Sequence, residues 1–142
     1  MNAQKRAKTA CHCINLRRAA NTITKLYDSG LGEIGLSGNQ FYLLVSLSEN
    51  DSASVTELAN YVGLERSTLV RTLKPLIEAG YVQDLSGQSQ RNRILHLTET
   101  GMEKVRAGKV IWEDLQVSIE EKLGTDNVAV LEKILEGLDD YL

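Results

Sequence analysis

Hydrophobic positions recur along the chain in separate runs at helical spacing. Ile14, Leu16, Ile23, Leu26 and Tyr27, with Ala19 and Ala20, form one stripe between about Ala7 and Tyr27. The glycine-rich "DSGLGEIGLSGNQ" interrupts it. Ser37 and Gln40 then stand at capping-box spacing before the apolar run "FYLLVSL". "SENDSAS" predicts a turn, and Ser54 with Glu57 repeats the capping box ahead of the short helix "VTELANYV". Gly63 separates this helix from "ERSTLVRTLKPLIEA", which Gly80 ends. "YVQDL" and "RILHL" alternate like two short strands about the polar "SGQSQRN". Thr98 starts a long helix to about Leu123, and Gly124 divides it from a last amphipathic helix that restarts at Thr125 or Asp126. The predicted order is four helices, two strands and two helices. Its middle has the pattern of a winged helix-turn-helix.

That middle determines the functional reading. A helix-turn-helix needs a short first helix, a tight turn and a second helix with one exposed polar face. Ala59 is small enough for a close crossing, and Gly63 suits a turn position of positive φ. On the second helix Leu69, Val70, Leu73, Leu76 and Ile77 are expected to face the core. Arg66, Ser67, Thr68, Arg71 and Thr72 are left at the N-terminal end and outer face. Those side chains hydrogen-bond phosphates and base edges, and a guanidinium matches guanine O6 and N7 with two bonds. Pro75 lacks the N–H that would bond to the Arg71 carbonyl, so the helix either bends there or ends early. The strand loop carries Arg91 and Arg93, suited to a narrow minor groove or to a solvated hairpin tip.

Net charge is −3, which does not by itself mark a nucleic-acid binder. The distribution is more informative. Positions 1–27 hold six basic residues and no acid, positions 113–142 hold nine acids against two lysines, and positions 66–93 hold five basic residues against Glu78 and Asp84. The pattern fits a basic DNA-binding patch on an acidic body, and equally a mixed solvated surface. No apolar run reaches the roughly 18 residues of a membrane span. "MNAQKRAKTACHC" has no apolar core of a signal peptide, so the expected location is the cytoplasm.

"LSGNQFYLLVSL", "SVTELANYVGLERSTLVRTLKPLIEAGYV" and "RNRILHLTETG", in that order and spacing, resemble the MarR family of transcriptional regulators over essentially the whole chain. The resemblance implies a mainly α fold with a small β-wing, and dimerisation helices from both chain termini. It implies one subunit over 1–142, with a winged-helix core at about 36–98 and dimerisation helices at about 7–28 and 98–142. Two subunits would form a homodimer whose recognition helices bind a pseudo-palindromic operator in double-stranded DNA. By motif position Arg66, Ser67, Thr68, Arg71 and Thr72 fall on the recognition helix and Arg91 on the wing-tip arginine. The family usually has an Asp two residues before that arginine; here Ser89 stands there, which predicts a looser wing.

"CHC" at Cys11, His12 and Cys13 lies in the basic first helical stripe. Three readings stay open. Free cysteines most often serve as small buried hydrophobes. A structural zinc site wants about four ligands, and the only other His is His96. A redox role is the third: cations at Lys8, Arg17 and Arg18, within about a turn or so, favour the reactive thiolate. The peroxide-sensing branch of the same family also has a reactive cysteine early in its first helix. Aligned through "TKLY", Cys13 falls on it and Tyr27 on one of its tyrosine partners, while another such tyrosine becomes Arg17. Many family members instead sense small aromatic acids, and Phe41, Tyr42, Tyr27, Trp112, Arg17 and Arg18 offer candidate cleft residues or plain core aromatics.

The function expected is a DNA-binding regulator, a repressor, switched by a small aromatic effector or by an oxidant. No cofactor, metal site or catalytic constellation is expected, and no phosphate-cradling Gly loop, G-x-S-x-G or paired carboxylates occur. Two other classes remain: a thiol peroxidase using Cys13, and a winged helix that binds protein. The Arg-, Ser- and Thr-rich outer face of the second helix argues against the latter.

Overall fold

The computed structural model describes residues 9–86 and 93–141. The elements are α1 (His12–Leu31), a 3-10 turn (Gly32–Ile34), α2 (Gly38–Glu49), β1 (Ala53–Ser54), α3 (Val55–Val62), α4 (Arg66–Glu78), β2 (Val82–Asp84), β3 (Ile94–Leu97), α5 (Glu99–Leu123) and α6 (Thr125–Asp139). The three strands form one antiparallel sheet in the order β1-β3-β2, with Ala53 opposite Leu95 and Val82 opposite Leu97. The architecture is mainly α with a small β-wing. No helix among the described residues is long and apolar enough to cross a membrane.

Local chemistry fixes most boundaries. Both capping boxes form: Ser37 accepts from the Gln40 amide and Ser54 from the Glu57 amide, and each N3 side chain returns a bond to its cap. Each box satisfies two amides that a helix start leaves without partners. At the end of α4, Gly80 adopts φ 77°, its N–H bonds to the Ile77 carbonyl, and the Tyr81 N–H reaches back to Leu76. These are the paired bonds of a Schellman close. Thr98 caps α5 through the Gly101 amide. Its hydroxyl also lies 2.6 Å from the Gly80 carbonyl, tying the start of α5 to the end of α4.

The core sits where α2, α3, α4 and the sheet meet the first half of α5. Leu43, Leu44, Leu47, Leu58, Leu69, Leu73, Leu76, Val82, Leu95 and Val105 are buried there. β3 alternates as a half-buried strand should: Leu95 and Leu97 face in, Ile94 and His96 face out.

Three expectations need correction, and one open alternative is decided. α1 begins at His12 and runs through Leu31, four residues past Tyr27, so the glycine-rich segment contributes its last helical turn. "SENDSAS" contains the strand β1, which at two residues is too short to show alternation. Pro75 does not end its helix: α4 continues to Glu78. An interior proline costs about 3 kcal/mol. The neighbouring Leu73 and Leu76 are fully buried, and each such burial returns about 1.5–3 kcal/mol, enough to hold the helix through the defect. Val70 is 38% exposed rather than core. At about 100° per residue it lies well round the helix from the Leu69, Leu73, Leu76 stripe.

Candidate nucleic-acid interface

α3 and α4 are joined by a turn that a side chain would strain. Gly63 closes α3 at φ 67°, and the Leu64 N–H returns to the Ala59 carbonyl at 3.0 Å. Ala59, buried, lies on the inner side of α3, where its small side chain allows close packing. Glu65 is the N-cap of α4, its side chain makes no capping bond, and no acid occupies the first helical turn. The first amides of α4 therefore remain open at the positive end of the helix, the arrangement that attracts phosphate oxygens.

The buried stripe of Leu69, Leu73 and Leu76 fixes the rotation of α4 about its axis. Ser67 and Arg71 are carried to the opposite face and are exposed, while Thr68 and Thr72 flank the buried stripe and are half-buried. Arg71 lies over Thr68, its Nη2 3.4 Å from the Thr68 hydroxyl, and the Thr72 hydroxyl donates to the Thr68 carbonyl at 2.8 Å. Arg66 is held from the neighbouring helix: its Nη1 donates to the Thr56 hydroxyl at 3.0 Å. Thr56 was missed in the sequence. Its signal would have been its place in the first turn of α3, beside the start of α4. The five recognition-helix candidates thus lie together on one outer face and one helix end.

The wing differs from expectation. Arg91 and Ser89 lie outside the described residues. Arg93 does not project as a free groove arginine. Its Nε donates to the Asp84 carboxylate at 2.7 Å, and only about a quarter of its side chain is exposed. Asp84 also accepts from the Ser86 amide at 3.0 Å and from the Ser86 hydroxyl. Burial opposes the charge on Asp84, but the Ser86 and Arg93 donors outweigh it and hold the carboxyl below its ordinary range. The base of the wing is therefore braced across β2 and β3 by Asp84 and Arg93.

A second feature is a cleft of about 340 Å³ between α2 and α5, lined by Phe41, Tyr42, Val45 and Glu49 on one side and Lys109, Trp112 and Glu113 on the other. The spacings 41, 42, 45, 49 and 109, 112, 113 put each set on one helix face. Phe41 is buried and closes against Gly108, where any Cβ would lie 2.3 Å from its ring. Tyr42 stacks on Tyr61 with ring centroids 6.3 Å apart, and the Tyr61 hydroxyl donates to Glu49 at 2.9 Å. That bond and the Glu49 charge raise the Tyr61 pKa above the usual phenol value. Of the expected cleft aromatics, Phe41, Tyr42 and Trp112 come together. Tyr27 does not join them: its hydroxyl donates to Gln116 in the α1–α5 contact, and burial, then the Glu120 charge, raise its pKa. Arg17 and Arg18 are not among the lining residues. Glu49, Lys109 and Glu113 escaped the sequence reading, although their helical spacing from the aromatics was visible.

Cys11 and Cys13 are both exposed free thiols in the subunit, so neither is a buried hydrophobe there. Cys11 lies before the helix as its N-cap, and Cys13 is the second helical residue. The Arg17 guanidinium lies 3.8 Å from the Cys13 sulfur, one turn on. Lys8 lies outside the described residues. Among the described residues, no three His, Cys, Asp or Glu side chains gather as a metal site.

A paired-helix reader with a braced β-wing is a winged helix-turn-helix DNA-binding protein. A sequence model of the MarR family matches residues 34–91, which span the helix pair and reach the wing. The uncharacterised HTH-type regulator YwoH of Bacillus subtilis is 31% identical over 93 residues, 66% of each chain. The HTH-type regulator SarZ of Staphylococcus haemolyticus is 28% identical over 135 residues, 91% of this chain and 90% of that one. The DNA complex of the Mycobacterium tuberculosis regulator MosR superposes with a TM-score of 0.72 at 28% identity, covering 90% of this chain and 98% of that one. The chain belongs to the MarR family and is a winged-helix transcriptional regulator.

Proposed function

We propose that two copies form a cytoplasmic homodimeric repressor that binds a pseudo-palindromic operator through α4. The observation that carries this is the division of α4: Leu69, Leu73 and Leu76 are locked in the core while Arg66, Ser67 and Arg71 are exposed on its N-terminal half, with Thr68 and Thr72 half-buried beside them. Arg71 and Arg66 are the base and phosphate readers, and Thr56 steadies Arg66. Arg91 is assigned to the minor groove from its wing position, and Arg93 to bracing the wing. On this reading the winged-helix core spans about 36–98, and α1, α5 and α6 join the two subunits. Arg71→Ala, measured by fluorescence anisotropy on operator DNA, is expected to lose about 1–3 kcal/mol of specific binding, roughly 5- to 150-fold. An unchanged affinity removes Arg71 from the interface.

Two inputs fit this body. One is a small aromatic effector in the cleft between α2 and α5, which joins the winged-helix core to the long helix. The other is oxidation of Cys13, supported by its exposure and the adjacent Arg17. An organic hydroperoxide would accept the thiolate electron pair at its terminal oxygen, breaking the O–O bond, leaving a sulfenic acid on Cys13 and releasing the alcohol after protonation. Stoichiometric cumene hydroperoxide is expected to release the wild-type protein from DNA and leave Cys13→Ser bound. Equal release of both proteins, or continuous peroxide turnover, overturns the sensor role.

A further inference from the structure

The chemistry of the cleft between α2 and α5 departs from what its position suggests. Its lining suits a planar ring: buried Phe41 with the exposed aromatics Tyr42 and Trp112. Its charges do not suit an acid. Glu49 and Glu113 line it against the single ammonium of Lys109, a local balance of −1. Glu49 is the last residue of α2, so the negative end of that helix dipole lies at the same rim. The Glu49 carboxylate is also held in place by the Tyr61 hydroxyl, itself stacked against Tyr42. The arginines that would have welcomed a carboxylate, Arg17 and Arg18, do not line the cleft. A tryptophan beside two carboxylates suits a cation: indole is the strongest cation–π acceptor among side chains, and the carboxylates add direct charge pairing. The volume, about 340 Å³, falls within the range of small-molecule sites.

We propose that this cleft binds an aromatic cation, a one- or two-ring amine, amidine or quaternary ammonium compound, and discriminates against aromatic acids. The proposal rests on the reading of the cleft as the effector site and assigns its chemistry. The ring would slide between Tyr42 and Trp112 onto Phe41, with its charged group at the rim between Glu49 and Glu113.

Trp112 is the only tryptophan of the chain, so its emission reports on the cleft directly. The full-length protein would be titrated with benzyltrimethylammonium, benzyl alcohol and benzoate at constant ionic strength. The expected result is a saturable change with the cation, a weaker one with the alcohol and the weakest with benzoate. In the Glu49→Gln/Glu113→Gln protein the cation should bind about tenfold more weakly and benzoate should gain. Both side chains are exposed, and operator binding without ligand serves as the check that the double variant is folded. Benzoate binding as tightly as the cation, or cation affinity untouched by the double substitution, overturns the charge assignment and leaves the cleft an effector site. No saturable change with any of the three overturns both the assignment and the effector reading.

Discussion

Gly108 shows how one missing carbon shapes the molecule. It sits in the middle of α5, where glycine costs a helix up to about 1 kcal/mol relative to alanine. The Phe41 ring occupies the space its side chain would need, with ring carbons 2.3 and 2.5 Å from an ideal Cβ. Gly108→Ala therefore gains helix propensity and loses packing. Forced overpacking costs about 1–3 kcal/mol, so the net expectation is destabilisation by up to about 2 kcal/mol in urea titration, relieved by a second change of Phe41→Leu. A stabilised single variant would contradict the packing argument. The residue scale was only partly legible in the sequence. The outward set on α4 followed from spacing around three leucines, because helix geometry converts spacing into direction. The bonds from Thr56 to Arg66 and from Asp84 to Arg93 did not, because they join residues that only the fold brings together.

Among the elements, the wing is held by contacts at its base. The aspartate usual in the family two residues before the tip arginine is Ser89 in this sequence, outside the described residues, and β2 and β3 are clamped at their base by Asp84, Ser86 and Arg93. The pH consequence has a definite sign. The Asp84 carboxyl is held below its ordinary value of 3.8, so its contribution is complete at neutral pH and above that value. It is lost as the pH falls through the lowered folded value. Asp84→Asn should cost about 1–2 kcal/mol at pH 7. The gap between variant and wild type should narrow as the pH falls below 3.8 and close below the lowered folded value, followed by urea unfolding across pH. A constant gap would mean that the pair contributes nothing through charge. Helix starts were legible because the capping boxes at Ser37 and Ser54 are local signals. Whether α4 continues past Pro75 stays open in the sequence, because burial of Leu73 and Leu76 on the core decides it.

For the whole molecule, the main unpartnered feature is the far end of α5 with α6. α6 has no buried residue in the single subunit, and Val130, Leu131, Ile134, Leu135 and Leu138 repeat along it exposed. Leu16, Ile23 and Leu26 are likewise exposed on α1. The proposed dimer interface is the partner these stripes call for. Leu131→Asp/Leu135→Asp should shift the protein from dimer to monomer in sedimentation. It should also weaken operator binding by roughly 10²–10⁴, the gain lost when two linked half-sites become independent. A variant that stays dimeric would place the interface elsewhere. The amphipathic stripes were plain in the sequence, whereas which of them would be covered within one subunit was set by the tertiary packing.

The link from Thr98 to the end of α4 has a mechanical consequence. α5 has 25 residues, about 37 Å of continuous rod, and the cleft meets it near its middle at Lys109, Trp112 and Glu113. With its far end held in the proposed dimer, a push beside Trp112, about 16 Å from that end, would grow about twofold at the Thr98 anchor. In the proposed dimer α5 would thus act as a lever, carrying a small displacement at the cleft, enlarged, to the stance of α4 on DNA.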